Sequence, residues 1–148
     1  MKRHIVSCLA ILMCLIISLS SCDFSKPLRT KMQSYYSDDT NYVTLSGIVA
    51  SMSDDGRKLG IKITTENHGI THPKLEDIYE FHVFFEDDEA WVGIELNDPV
   101  TFTTAPMYFY NGHILPIVFL AKDGEVYLEL EDGKAQLLTW VENDGFDA

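Results

Sequence analysis

The stretch TAPMYFYNGHILPIVFLAKDGEVYLEL, Thr104 to Leu130, sets two glycine turns between apolar runs. Asn111-Gly112 and Asp123-Gly124 are both pairs that tolerate the positive φ of a tight two-residue hairpin. Two hairpins in succession predict antiparallel strands. A turn at Asn111-Gly112 sets Tyr110 opposite His113, Phe109 opposite Ile114, Tyr108 opposite Leu115 and Met107 opposite Pro116. Pro116 then falls at a pair without ladder hydrogen bonds, where its missing N–H costs this hairpin nothing. The other side of that strand is expected to be edge-like there. The second hairpin pairs Ala121 with Val126 and Phe119 with Leu128.

The faces of this strand conflict. The second hairpin places Ile117, Phe119 and Ala121 with Val126, Leu128 and Leu130 on a core face. Counting back by twos adds Leu115 and His113, and the first hairpin adds Tyr108 and Tyr110. The opposite face carries Met107, Phe109, Ile114, Pro116, Val118 and Leu120. A strand apolar on both faces calls for a face-switching bulge near Pro116, for cover by the terminal helix or the N-terminal segment, or for a partner. Tyrosine suits contact surfaces, with a wide apolar ring and a polar tip. Tyr108, Tyr110 and His113 are therefore the candidate ligand or partner surface.

Working outward, the upstream chain also reads as β. YVTLSGIVASM (Tyr42–Met52) is rich in β-branched and apolar residues, and its Gly47 marks a bend or bulge. SDDGRK is a turn. LGIKITT places Leu59, Ile61 and Ile63 on one face, and IYEFHVFF turns Tyr79, Phe81, Val83 and Phe85 inward, with Glu80 and His82 outward. EDDEAWVGIEL has the acids of a helix start, although Gly93 weakens a helix there. PVTFTT returns to strand with Val100 and Phe102 inward. Downstream, EDGKAQLLTWVEN predicts a terminal helix starting at Asp132 or Gly133, with Leu137, Leu138 and Val141 on one face. The sum is a mainly β fold of six or seven short strands with one or two short helices: a small antiparallel barrel or, alternatively, a β-sandwich.

The order of these segments resembles an OB-fold. The resemblance rests on the long first strand with an internal glycine (TLSGIVASM), two further strands, a helix-like insert and then ELNDPVTFTT. Many OB-fold proteins carry Gly-Asp-x-Val at the last position; here Asn97-Asp98-Pro99-Val100 stands instead. The resemblance implies an OB-like barrel over residues 42–148 and little about function.

The N-terminus reads as an address. Lys2 and Arg3 precede an apolar run from Ile5 to Leu19 that is short for a membrane span. It ends in Leu19-Ser20-Ser21-Cys22, which resembles the lipobox of bacterial lipoproteins. That resemblance implies a signal peptide over residues 1–21, cleavage before Cys22 and diacylglycerol on its sulfur. Two acyl chains on one residue exceed the marginal hold of one. Cys8 and Cys14 would leave with the signal, so the mature chain is expected to have neither a free thiol nor a disulfide. Residues 22–41 form a tether. Within it Ser25 and Pro27 suit the start of a short helix, with Leu28, Met32 and Tyr35 on one face. A loose linker and a docked helix are both consistent with that segment.

Charge and motifs narrow the function classes. Residues 38–148 hold six basic and 22 acidic side chains, a net of −16, which disfavours nucleic acid as a partner. No P-loop, G-x-S-x-G, G-x-G-x-x-G or H-E-x-x-H motif occurs. His68 and His72 are four apart, but Gly69 and Pro73 make that segment a loop, and no third ligand accompanies them. The aspartate-glycine segments read as turns, not calcium loops. The expectation is a lipid-anchored, extracytoplasmic lipoprotein of the cell membrane or envelope, without cofactor or metal and not an enzyme. Its body is expected to bind a protein, peptide or glycan. A structural or assembly component of the envelope is the alternative, and a low-turnover hydrolase the third.

Overall fold

Strand β1 (Val43–Met52) lies at the centre of the sheet and sets its order. It pairs antiparallel with β2 (Lys58–Ile63) on one side and with β4 (Pro99–Thr104) on the other. Beyond β2 lies β3 (Ile78–His82); beyond β4 lie β7 (Phe119–Lys122) and β8 (Glu125–Leu128), giving the order β3-β2-β1-β4-β7-β8. A separate hairpin pairs β5 (Met107–Phe109) with β6 (Gly112–Ile114). Helices α1 (Ser25–Tyr36) and α2 (Leu130–Glu142) flank the strands. This computed structural model describes residues 25–65, 73–84, 93–109, 112–143 and 145–147. The expected class is borne out: mainly β, antiparallel, with two helices. None of the described helices is long and apolar enough to cross a membrane.

The six-stranded sheet is not a fully paired barrel. Its far strand β3 instead meets the segment leading into β7 through one parallel bridge, His82 to Pro116. The His82 N–H donates to the Leu115 carbonyl at 2.8 Å, and the Ile117 N–H donates to the His82 carbonyl at 2.7 Å. A parallel bridge uses the groups flanking its central residue, so Pro116 needs no N–H here. Three residues on, β7 pairs with β4, with Phe119 opposite Thr103. One stretch of chain thus bonds to β3 at one edge and to β4 on the other side of β1, and curls the sheet around an apolar interior.

That interior is the first of two cores. Leu59, Ile61 and Ile63 line it from β2 and Phe81 from β3, as their alternation predicts, and Val100 and Phe102 from β4. The Phe81 and Phe102 rings meet edge to face at 4.8 Å. Gly47 is buried where a methyl group would collide with Ile61 and the Lys62 carbonyl. Its role is close strand approach, and the irregularity in β1 falls later, between Val49 and Ser51. Asn97 takes φ 72°, the left-handed region where a glycine is at ease and asparagine is the most tolerant of the rest. The departure from the glycine-aspartate element is therefore conformationally silent. Asp98 accepts from the Glu95 N–H at 2.7 Å and from Lys122 Nζ at 2.6 Å, tying β4 to β7.

The second core lies under the helices. Met32 and Tyr36 of α1 pack with Leu137 and Val141 of α2 against Ala105, Met107 and Val118. Leu28 and Tyr35 join from the face the sequence predicts. The Tyr35 hydroxyl donates to the Pro106 carbonyl at 2.6 Å, and Tyr42 donates to the Tyr36 carbonyl at 2.7 Å. Residues 25–36 are thus a docked helix, not a loose linker. Helix α2 starts at Leu130, ahead of the expected Asp132 or Gly133. Gly133 is not its start but its contact: the helix rides so close that a methyl there would strike the Val118 backbone.

Both hairpins depart from the expected register. In the first, Met107 faces Ile114, Tyr108 faces His113 and Phe109 faces Gly112, so the two linking residues are Tyr110 and Asn111, outside the described residues. The slip is by two along the ladder, which leaves every side chain on its expected face. Hydrophobic pattern cannot detect such a slip. The second hairpin turns at Asp123-Gly124 as expected, with φ 53° and 83°, and pairs Ala121 with Val126. A bulge then sets Leu120, not Phe119, opposite Leu128. Leu115 and Ile117 enter the first core, Val118 the second, and Leu120 the first again, so the chain switches faces just past Pro116. The two apolar faces are reconciled by that switch and by cover from both helices. Val126, expected in the core, is exposed.

Candidate functional site

A cleft of about 560 Å³ opens where the curled sheet meets α2. That volume is within the range of small-molecule and peptide sites. One wall is α2, where Gln136, Thr139, Trp140 and Asn143 recur at three- and four-residue spacing and so share a stripe. The neighbouring stripe, Leu137 and Val141, is buried in the second core and fixes the helix in place. The opposite wall is the Asp55–Lys58 turn, the end of β3 at His82 to Phe84, and β6 at His113 and Ile114.

The apolar end is a nest of rings. Phe84 lies 4.5 Å from Trp140 at a tilt of 39°, and Phe146, on the last 3-10 turn (Gly145–Asp147), meets Trp140 edge-on at 6.1 Å. The polar end gathers cations and imidazoles. Arg57 and Lys58 come from the turn, His82 from β3 and His113 from β6. Lys58 Nζ sits 3.1 Å from Glu80 Oε1, and His82 Nε2 sits 3.6 Å from the same oxygen. Burial holds the His82 pKa below its ordinary value, Lys58 and His113 push it the same way, and Glu80 opposes them. Asp55 is the acidic side chain lining the cleft, and it is occupied: it accepts from Ser53 Oγ and from the Arg57 N–H, which hold its carboxyl below the usual range. The turn is thereby fixed, and Arg57 with it.

Where β3 ends, the backbone is taken. His82 spends both its N–H and carbonyl on the bridge, and the Val83 N–H donates to the Arg57 carbonyl at 2.9 Å. Among the described residues no group of three or more His, Cys, Asp and Glu is placed to hold a metal ion.

His113 lines this cleft, and Tyr108 stands beside it with ring centroids 6.2 Å apart. Tyr108 is 47% exposed. Its hydroxyl is pushed up to about 12, chiefly by burial of the rest of the ring's surroundings, and stays protonated at neutral pH. Tyr110, Cys22, His68 and His72 lie outside the described residues, as does most of EDDEAWVGIEL; its Gly93 to Leu96 end is not helical. Sequence reasoning found one wall of the cleft and missed Arg57, His82, Trp140 and Phe146. His82 was legible as outward-facing, but nothing local joins it to the C-terminal rings.

Comparison with protein-family models, curated proteins and solved structures finds no match for this chain.

Proposed function

We propose that this chain is a lipid-anchored extracytoplasmic lipoprotein whose folded body is a binding module, with the cleft between α2 and the curled sheet as its site. The observation that supports this most is the convergence in one cleft of an aromatic nest with Arg57, His82 and His113, on an otherwise acidic body. The side chains come from separate elements and are held by backbone bridges and a packed helix, the pre-formed arrangement that binding sites favour. Protein, peptide and glycan partners all fall within this reading. Lipid on Cys22 fits the placement of α1, which begins three residues later and is docked on the body. The body would then sit close to the membrane surface.

Two substitutions test the two halves. Cys22→Ala is expected to release the chain from membranes or block its maturation; unchanged partition and processing would contradict the anchor. Thr139→Trp fills the cleft from an exposed helix position. It is expected to abolish capture of the chain's partner from cell-envelope extracts while leaving the melting temperature within a few degrees. Unchanged capture would place the binding surface elsewhere.

A further inference from the structure

Resting on the lipid-anchor reading, we propose that the first half of α1 is a membrane-contact surface. Its exposed lysines meet anionic lipid headgroups and hold the body in one pose on the bilayer. This surface is separate from the cleft, and charge, exposure and chain length all point to it.

Charge is sorted along the chain. No acidic residue lies between Asp23 and Asp38, and Lys26, Arg29 and Lys31 all fall there, in the half of α1 nearer Cys22. From residue 38 on the net charge is −16. An anionic surface therefore repels most of the body and attracts this one helix.

The fold turns the lysines outward. Met32 and Tyr36 are buried in the second core, and Leu28 and Tyr35 pack beside them. Lys26, Pro27, Thr30, Lys31 and Ser34 are exposed, and their spacing places them on the opposite side of the helix. Between the two lysines the side chains are small, so the helix can approach a surface closely. Arg29 is partly buried and already engaged within the protein, so contact falls to Lys26 and Lys31. Lys58, Lys62, Lys122 and Lys134 of the body each pair with a carboxylate. Lys26 and Lys31 have no acidic partner among the described residues.

Chain length brings this face to the lipid. Ser25 follows Cys22 by three residues, a span of at most about 11 Å even when fully extended. That is comparable to the screening length of about 8 Å at physiological ionic strength. Helix α1 cannot swing freely on its tether, because its buried face and the Tyr35 bond to Pro106 fix it to the body. Orienting α1 therefore orients the whole molecule. Each basic side chain at an anionic surface favours contact about fivefold, so two lysines suffice to select a pose once lipid supplies the anchorage.

The test uses the isotope-labelled mature chain, with its lipid, in two kinds of nanodisc. One is phosphatidylcholine alone and the other is phosphatidylcholine mixed with phosphatidylglycerol, each doped with a spin-labelled headgroup. In mixed discs at low salt, amide broadening is expected to be greatest from Lys26 to Lys31. It should be at least about fivefold weaker there in phosphatidylcholine discs, at high salt, and in Lys26→Glu/Lys31→Glu. That variant is expected to stay on the discs and to melt within a few degrees of the native chain, since both side chains are exposed. Lys26→Gln/Lys31→Gln removes the charge without reversing it and should weaken the broadening in the same direction. Broadening that ignores lipid charge, salt and both variants overturns the proposal and leaves the anchor standing. A mature chain whose mass shows no lipid on Cys22 overturns the anchor and this proposal together.

Discussion

At the scale of single residues, the polar groups that the fold leaves strained are the informative ones. Tyr36 is buried in the second core, and its hydroxyl has no hydrogen-bond partner among the described residues. An unsatisfied buried hydroxyl costs on the order of 1–3 kcal/mol. Tyr36→Phe keeps the ring and its edge contact with Tyr35, so it is expected to raise stability by about 1 kcal/mol in chemical denaturation. His82 gives a pH signature. Burial, Lys58 and His113 lower its pKa in the folded chain, against the pull of Glu80, with Arg57 and Asp55 also on the cleft wall. The unfolded chain therefore takes up a proton first as pH falls. The stability that comes from keeping His82 neutral is full above its ordinary pKa of about 6.5 and is lost as pH drops through the lower folded value. Melting temperatures across pH 7.5 to 5 should fall for the native chain and fall less for His82→Gln. At this scale the sequence was silent: nothing local distinguishes Tyr36 from Tyr35, or marks His82 as the residue whose backbone ties edge strand β3 to the segment before β7.

Among the elements, legibility followed periodicity. Leu59, Ile61 and Ile63 alternate because β2 buries one face, and Leu28, Met32 and Tyr35 repeat at helical spacing because α1 does. Both patterns were readable. Registers were not, because a slip of two in the first hairpin preserves every face, and a bulge opposite Leu120 moves the second by one without a compositional mark. Gly133 shows the same limit from another side. In the sequence it reads as a candidate helix start; in the fold it lets α2 lie against Val118. Gly133→Ala would gain about 1 kcal/mol of helix propensity. It would also drive a methyl into backbone that cannot rotate away, and overpacking of this kind costs about 1–3 kcal/mol. A net loss of up to about 2 kcal/mol is expected in urea unfolding. Because α2 carries Trp140 and is capped by Asn143, the same change should broaden their resonances, whereas Ala135, exposed on the same helix, can become Glu without either effect.

For the molecule as a whole, two cores meet along one stretch of chain. Leu115 to Leu120 contributes to both, and the cleft opens beside the point where it changes sides. This explains why the candidate site was only partly visible beforehand. The class of fold follows from turn chemistry and alternation, which are local. The cleft joins residues near positions 57, 82, 113 and 140, and only the curl of the sheet brings them together. The hairpin that drew attention by its exposed tyrosine and histidine proves to be one wall of a larger arrangement. The central claim is that this arrangement is where the protein binds. The most direct measurement is a map of backbone and side-chain resonance shifts on the full mature chain as its partner, captured from cell-envelope extracts, is added. The shifts are expected to cluster on Arg57, His82, His113 and Trp140 and to vanish in Thr139→Trp. Shifts confined to the outer face of the sheet, around Ile48 and Ile78, would contradict it.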